Sequence, residues 1–275
     1  MTRLVHRTVS VLTALSDGAA TLHELHNRTQ IHRTTLLRIL EALAEEGLVR
    51  RTVGEGKYQL RHKVRRWGQK LTSGDLIAEA ADDLLPAYAD RVKWPTDVLL
   101  RHPRLPCLIV TETNRPKSPF PVKPNQVGHS VPLLPSAAGR TYLAFLDETR
   151  RRALLDRIVG EGRTAYGRRA TYDELKLELD EIRARGFGTR ARYFRGGDYR
   201  DDTTEQDGLL AMAVPVFRRD QVVAVVNTQW SAKAHNEADF AKRYLAQQLD
   251  LAAQIGERLS QPFDLTKPVA ASDFS

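Results

Sequence analysis

Residues 30–51 read QIHRTTLLRILEALAEEGLVRR. Leu36, Ile39, Leu40 and Leu43 stand at i, i+3, i+4 and i+7, so the spacing predicts a helix over 33–46 with one buried stripe. Gly47 supplies its C-terminal stop. Arg33, Thr34, Thr35, Leu37 and Arg38 fall off that stripe, at the front of the helix. Packing the middle of a helix and leaving a cationic, hydroxyl-bearing front outside suits an element that reads a polyanion.

The flanks agree. Val5 to Leu15 reads as a helix with Val5, Val9, Leu12 and Leu15 as its inner residues. Asp17-Gly18 ends it in a turn. Thr21 is an N-cap with Glu24 three residues on, a capping box that opens a short helix over 22–27 with Leu22 and Leu25 inward. Behind the third helix, 48–53 and 57–60 read as strands joined by Gly54-Glu55-Gly56. Three helices and a hairpin are the order of a winged helix-turn-helix, whose third helix puts its N-terminal turn into the major groove. Arginine can pair bidentately with guanine and threonine can bond a base or touch the thymine methyl. Free N–H groups at the helix start favour a phosphate. Arg50, Arg51 and Lys57 on the wing suit backbone or minor-groove contact. A lone His32 at the helix start reads as a cap or phosphate neighbour rather than a metal ligand.

Charge is divided along the chain in the same sense. Residues 1–72 hold 13 Lys+Arg against 6 Asp+Glu, a net of +7, while residues 73–275 hold 29 against 28, a net of +1. A basic head beside a neutral body predicts duplex DNA as the partner of the head and another task for the body. The single cysteine, Cys107, excludes an internal disulfide framework and fits a reducing compartment. No apolar run approaches a membrane span, and MTRLVHRTVS is not followed by the apolar core of a signal peptide. The expected location is the cytoplasm, with no membrane contact.

The order of motifs resembles the IclR family of bacterial transcription regulators. TQIHRTTLLRILEALAEEGLVRR with the GEGKYQL wing is similar to the family's head. VGHSVPLLPSAAGRTYLAFL (127–146) resembles the family pattern G-x-x-x-P-L-x-x-[ST]-A-x-G-[KR]-x-x-L-A. GLLAMAVPVFRRDQVVAVVNTQW (208–230) resembles its closing strand pair. The likeness spans residues 3–260. HRTTLLRILEALAEEGLVRR, KVRRW and WPTDV further resemble the subgroup that activates 3-(3-hydroxyphenyl)propionate catabolism, which implies an aromatic or arylalkanoic acid as effector.

The resulting expectation is an α+β chain. It comprises a winged helix-turn-helix over 1–60, a linker helix over 61–73, a GAF-like effector and oligomerisation domain with a central antiparallel sheet over 74–260, and a flexible tail over 261–275. In the linker, Val64, Trp67 and Leu71 form a packed stripe. The resemblance implies that this segment helps to pair two heads, so that a dimer or tetramer meets a pseudo-palindromic operator. In the body, helices are expected over 76–92, 136–146, 147–159, 172–185 and 237–260. Strands are expected over 96–102, 107–113, 187–194, 209–217 and 222–230, with an irregular stretch over 115–124.

Family pockets use the loop before the 136–146 helix and the facing strands. Here that implies Ser136, Ala137, Arg190, Ala211 and Asn227, with Ser136–Gly139 leaving room at a helix start that favours a carboxylate. Arg190 stands where some members carry an Asp, and Ala211 and Asn227 where cysteines appear, so Arg190 is the expected carboxylate partner. Arg192, two residues on along the expected strand, is the fallback. The competing reading is that both arginines are exposed or salt-bridged to the acidic loop DYRDD (198–202); the longer cluster DYRDDTTEQD (198–207) could hold a hard cation but reads as a solvated loop. Walker, zinc-protease, C-x-x-C and G-x-S-x-G patterns are absent. No catalytic residue, cofactor or metal is therefore expected. Two alternatives remain open: an enzyme acting on a small carboxylate behind a DNA-binding head, and a repressor answering a non-aromatic acid. An activator would in addition touch RNA polymerase.

Overall fold

Helices α1 (Thr2–Ser16), α2 (Leu22–Thr29) and α3 (Arg33–Glu45) close around Leu25, Leu36, Ile39, Leu40 and Leu43 in a computed structural model that describes residues 2–68, 72–120, 127–160, 172–199 and 207–261. The four apolar residues of the α3 stripe are all buried, as their period requires. Thr21 caps α2 in a full capping box: its hydroxyl accepts from the Glu24 N–H, and Glu24 accepts from the Thr21 N–H at 2.6 Å. That backbone bond holds the Glu24 carboxyl below its ordinary pKa. Thr21→Ala is expected to cost the head about 1 kcal/mol, read from its unfolding midpoint. Gln30, in the left-handed region at φ 56°, turns the chain into α3.

The hairpin β1 (Val49–Arg51) and β2 (Tyr58–Leu60) is antiparallel, with Arg50 opposite Gln59. Ala20 exchanges two backbone hydrogen bonds with Tyr58, at 2.9 and 2.7 Å, and so ties the wing to the α1–α2 turn. A short α4 (His62–Gly68) follows.

Two expectations for the head are corrected, and a third lies outside the described residues. Val5 and Val9 are exposed, and burial on α1 begins at Val11 and continues through Ala14 and Leu15, because among the described residues no helix lies against the opening turns of α1. Trp67 is 58% exposed rather than packed. Leu71, the third member of that stripe, lies outside the described residues.

The chain divides into two compact units between Thr72 and Ser73. In the second, α5 (Ser73–Ala81) and α6 (Leu84–Val92) replace the single helix expected over 76–92. Pro86 in the first turn of α6 lacks an N–H, and its ring conflicts with the carbonyl four residues back, so one helix cannot run through.

The body is built on a six-stranded antiparallel sheet. Its strands are β3 (Thr96–Arg101), β4 (Cys107–Thr113), β5 (Ser130–Pro132), β6 (Gly188–Thr189), β7 (Leu209–Arg218) and β8 (Gln221–Ser231). Their spatial order is β5-β4-β3-β8-β7-β6. Arg115–Lys117 is a single 3-10 turn.

Helices cover both faces. On one, α7 (Ala137–Phe145), α8 (Glu148–Gly160) and α9 (Tyr172–Arg185) bury Leu99, Ala211, Ala213 and Val225. On the other, α5, α6 and α10 (Glu237–Ser260) bury Val98, Met212, Val214 and Val226. Alternate residues of each strand therefore feed opposite cores. Gln248 of α10, fully buried, donates to the carbonyls of Met212 and Val226 at 3.0 and 2.9 Å.

β5 was not anticipated. The strand expected over 187–194 is corrected to two residues. Beyond Thr189, the Ala191 N–H bonds to Pro135 O at 2.9 Å instead of continuing along β7. Arg192 then stands exposed in a turn, so it does not share a strand face with Arg190. This is an α+β chain with a winged helix-turn-helix head and a GAF-like body.

Candidate functional site

In the head, α3 presents its front as its stripe dictates. Arg33, Thr34, Leu37 and Arg38 are exposed and Thr35 is half-buried. His32 occupies the N-cap position but makes no capping bond, and its ring contacts the Thr34 hydroxyl at 2.9 Å. The cap reading of His32 is thus corrected, and among the described residues no side chain hydrogen-bonds the first-turn N–H groups of α3. Arg33 leans on His23 of α2, 3.0 Å from its Nδ1.

The wing residues differ in their freedom. Arg50 is exposed. Arg51 donates to Gly56 O at 2.9 Å and lies 5.8 Å over the Tyr58 ring, which stiffens the hairpin turn. Lys57 pairs with Glu55 at 2.5 Å, and this partner raises its pKa. A phosphate would meet Arg50 beside the neutral Gln59 amide, whose oxygen accepts from the guanidinium, whereas it would compete with the charged Glu55 for Lys57. Arg33 and Arg38 are thus exposed on α3, while Arg50, Arg51 and Lys57 are carried on the wing.

In the body, register decides what shares a face. Asp97 lies opposite Thr113 on one side and Asn227 on the other, Asn227 opposite Ala213, and Gln229 opposite Ala211. Directly opposed residues of an antiparallel pair point the same way. A polar row therefore crosses the otherwise apolar face beneath α7. Asp97 is 1% exposed at its side chain and takes two bonds from Arg115, at 2.8 and 2.7 Å. Thr113 donates to it at 2.7 Å and Gln229 at 3.1 Å. Gln229 Oε1 accepts in turn from Arg190 at 3.3 Å. Arg190 also pairs with Asp207 at 2.7 and 2.8 Å, donates to Leu209 O at 3.1 Å, and lies 5.2 Å over the Phe194 ring.

Arg190 thus joins the face that holds Ala211 and Asn227, already engaged by one acid of the 198–207 loop. Asp198 of the same loop bonds Ser130 at 2.7 Å, and residues 200–206 lie outside the described residues. Ser136 is the N-cap of α7, accepting from Gly139 N and donating to Pro132 O at 2.6 Å. Ala137 is buried beside it. The small residues here serve close packing: a Cβ on Gly139 would stand 2.3 Å from Leu133 Cα. At Gly139 that space is filled by the Leu133 backbone, not open for a ligand. Thr189 anchors two neighbouring arginines, its carbonyl accepting from Arg140 and its hydroxyl from Arg185, both at 3.3 Å. Burial and the nearby Arg140 charge push the Arg185 pKa down.

Sequence reasoning missed Asp97, Arg115, Thr113, Gln229 and the individual role of Asp207. The available signal was polar residues inside apolar strands, Asp97 in TDVLL and Gln229 in VVNTQW. A buried polar side chain there needs a partner.

The family model described as Bacterial transcriptional regulator IclR C-terminal matches residues 115–257. The chain belongs to the IclR family. Residues 1–88 match the model for the HVO_A0261 N-terminal domain. This IclR regulator is 26% identical over 225 residues to the probable transcriptional regulator SauR of Cupriavidus necator, covering 81% of this chain and 82% of that one. Among solved structures, Thermotoga maritima IclR shares the fold at 20% identity with a TM-score of 0.53, covering 95% of this chain and all of its own. An IclR homologue from Microbacterium hydrocarbonoxydans, solved in complex with 4-hydroxybenzoate, does so at 16% identity and 0.51, over 93% of this chain and 98% of its own. The chain is therefore a transcriptional regulator. No helix among the described residues is long and apolar enough to cross a membrane.

Proposed function

We propose that this regulator grips a pseudo-palindromic operator in double-stranded DNA through the front of α3 and the wing. A small aromatic or arylalkanoic acid, bound over Ser136, Ala137, Arg190, Ala211 and Asn227, adjusts that grip. The target is an aromatic catabolic operon, and the protein acts as a cytoplasmic activator that contacts RNA polymerase. The observation that carries the DNA reading is the division of α3: Leu36, Ile39, Leu40 and Leu43 are sealed inside while Arg33 and Arg38 face out. Leu4 and Val5, 62% and 61% exposed on α1, support a homo-oligomer, a dimer or tetramer, because a second head would cover them. A dimer would set two reading helices about one DNA turn apart.

For the effector, the support is a guanidinium only 10% exposed that bonds Gln229, the residue opposite Ala211, on an otherwise apolar face. An acid regulates only if its affinity differs between two states, with a typical coupling of about 1–3 kcal/mol.

Arg38→Ala is expected to weaken operator binding by about 1–3 kcal/mol, measured by fluorescence anisotropy on promoter fragments. Unchanged affinity in a folded variant would remove α3 as the reader. For the effector, a thermal-shift screen of aromatic carboxylates should show an arylalkanoate such as 3-phenylpropionate raising Tm by mass action. If no aromatic carboxylate moves Tm or operator affinity, the aromatic reading is lost and the DNA reading stands.

A further inference from the structure

We propose that Asp207 is an internal ligand. Its carboxylate holds the place on Arg190 that an external acid of the class R–CH2–COO− takes, so such an acid binds by displacing Asp207. This rests on the effector role of Arg190 proposed above and says how that site is regulated before any acid arrives.

The place is built for a carboxylate. Arg190 Nη1 donates to both Asp207 oxygens, at 2.7 and 2.8 Å. The Leu209 N–H donates to Oδ1 at 3.0 Å. On a further side stands Gly196, at φ +102°, where a Cβ would lie 2.3 Å from Asp207 Oδ2 and 3.2 Å from its Cβ. A residue larger than glycine would close this space.

Two ion pairs lie on this part of the molecule, and they differ in the property that exchange requires. Asp97 is 1% exposed and takes four hydrogen bonds, so no solute reaches it. Asp207 is 31% exposed while its partner Arg190 is 10% exposed. The cation is inside and the anion is at the surface, so the anion is the member that can be replaced from solvent.

Removing Asp207 leaves Arg190 with the neutral acceptors Leu209 O and Gln229 Oε1 and the face of Phe194. They keep the side chain in position but supply no counter-charge. A buried guanidinium without one is strongly disfavoured, so displacement is an exchange of carboxylates and never leaves the place empty. The occupant's carboxylate sits between Gly196 and the Leu209 amide, and the methylene that carries it also passes close to Gly196. A phenylacetate or 3-phenylpropionate presents the same CH2–COO− end, whereas benzoate brings a ring carbon where the methylene stands.

The test uses full-length protein and three probes: 3-phenylpropionate, benzoate and acetate. Calorimetry and thermal shift compare wild type, Asp207→Asn, Asp207→Gly, Arg190→Gln and the Asp207→Asn/Arg190→Gln double variant. With the competitor gone, both Asp207 variants should bind 3-phenylpropionate about tenfold or more tightly than wild type. Benzoate should gain less, and acetate should raise the Tm of Asp207→Gly but not of wild type. Arg190→Gln should cancel the gain. If the glycine variant does not fold, Asp207→Asn, which keeps a side chain of the same size, carries the comparison. Asp207 variants that bind 3-phenylpropionate and acetate no more tightly than wild type overturn the displacement. A gain for acetate alone upholds it and removes the aromatic reading. Equal binding of 3-phenylpropionate by every variant, Arg190→Gln included, overturns it and moves the aromatic site away from Arg190.

Discussion

Asp97→Ala is expected to destabilise the second unit by about 3–5 kcal/mol. The aspartate is buried within β3, and Arg115, 9% exposed at its side chain, donates two charge-assisted bonds to it. Truncation leaves that guanidinium inside without an anion and strips Thr113 and Gln229 of their shared acceptor. Gln229 also steadies Arg190, so binding of acidic effectors should weaken in the same variant. Urea unfolding followed by tryptophan fluorescence reads the loss, since Trp94 and Trp230 are buried in this unit. Replacing both partners, Asp97→Leu with Arg115→Met, should restore most of the stability, because the cost lies in the uncompensated charge and not in the absence of the pair. A single variant as stable as wild type would show that the pair does not brace the sheet.

Leu36→Ala should cost the head about 2–5 kcal/mol. Leu36 is fully buried in the first turn of α3, directly behind Arg33, Thr34 and Thr35. Its removal opens a cavity in the core shared with Leu25 and Leu40. The neighbours can close that space only by shifting the reading turn, so operator affinity should fall along with stability. Glu41→Ala, at an exposed position of the same helix, is the control and should stay within about 0.5 kcal/mol. Stability measured by thermal unfolding and affinity measured on promoter DNA should fall together in Leu36→Ala. A variant that loses stability but keeps full affinity would place the reading surface elsewhere.

Much of the local structure was legible because short-range rules govern it. The α3 stripe, the Thr21–Glu24 box, β4 over Cys107–Thr113 and α9 over Tyr172–Arg185 each follow from a period or a cap within a few residues. Failures came where the deciding partner is distant or absent. Val5 and Val9 keep a helical period, but periodicity does not say whether a second helix lies against them. β5, three residues long, exists only because β4 pairs with it. The strand after Phe187 stops at Thr189 because Pro135, more than fifty residues earlier, offers its carbonyl to Ala191. The break between α5 and α6 is a different case: Pro86 was visible, and its cost to a continuous helix outweighed the apolar period.

The amino-acid order alone determined that a basic winged helix-turn-helix comes first, that its third helix faces outward at Arg33–Arg38, and that an α+β body of near-neutral charge follows. Those features rest on periodicity, capping and local charge, which act between residues close along the chain. Tertiary structure alone decided that Asp97, Arg115, Gln229, Arg190 and Asp207 form one line of polar contacts, and which of the two acids stands open to solvent. That line is set by sheet register and burial, through bonds between residues as many as 132 positions apart, and such pairings leave no periodic mark in a sequence.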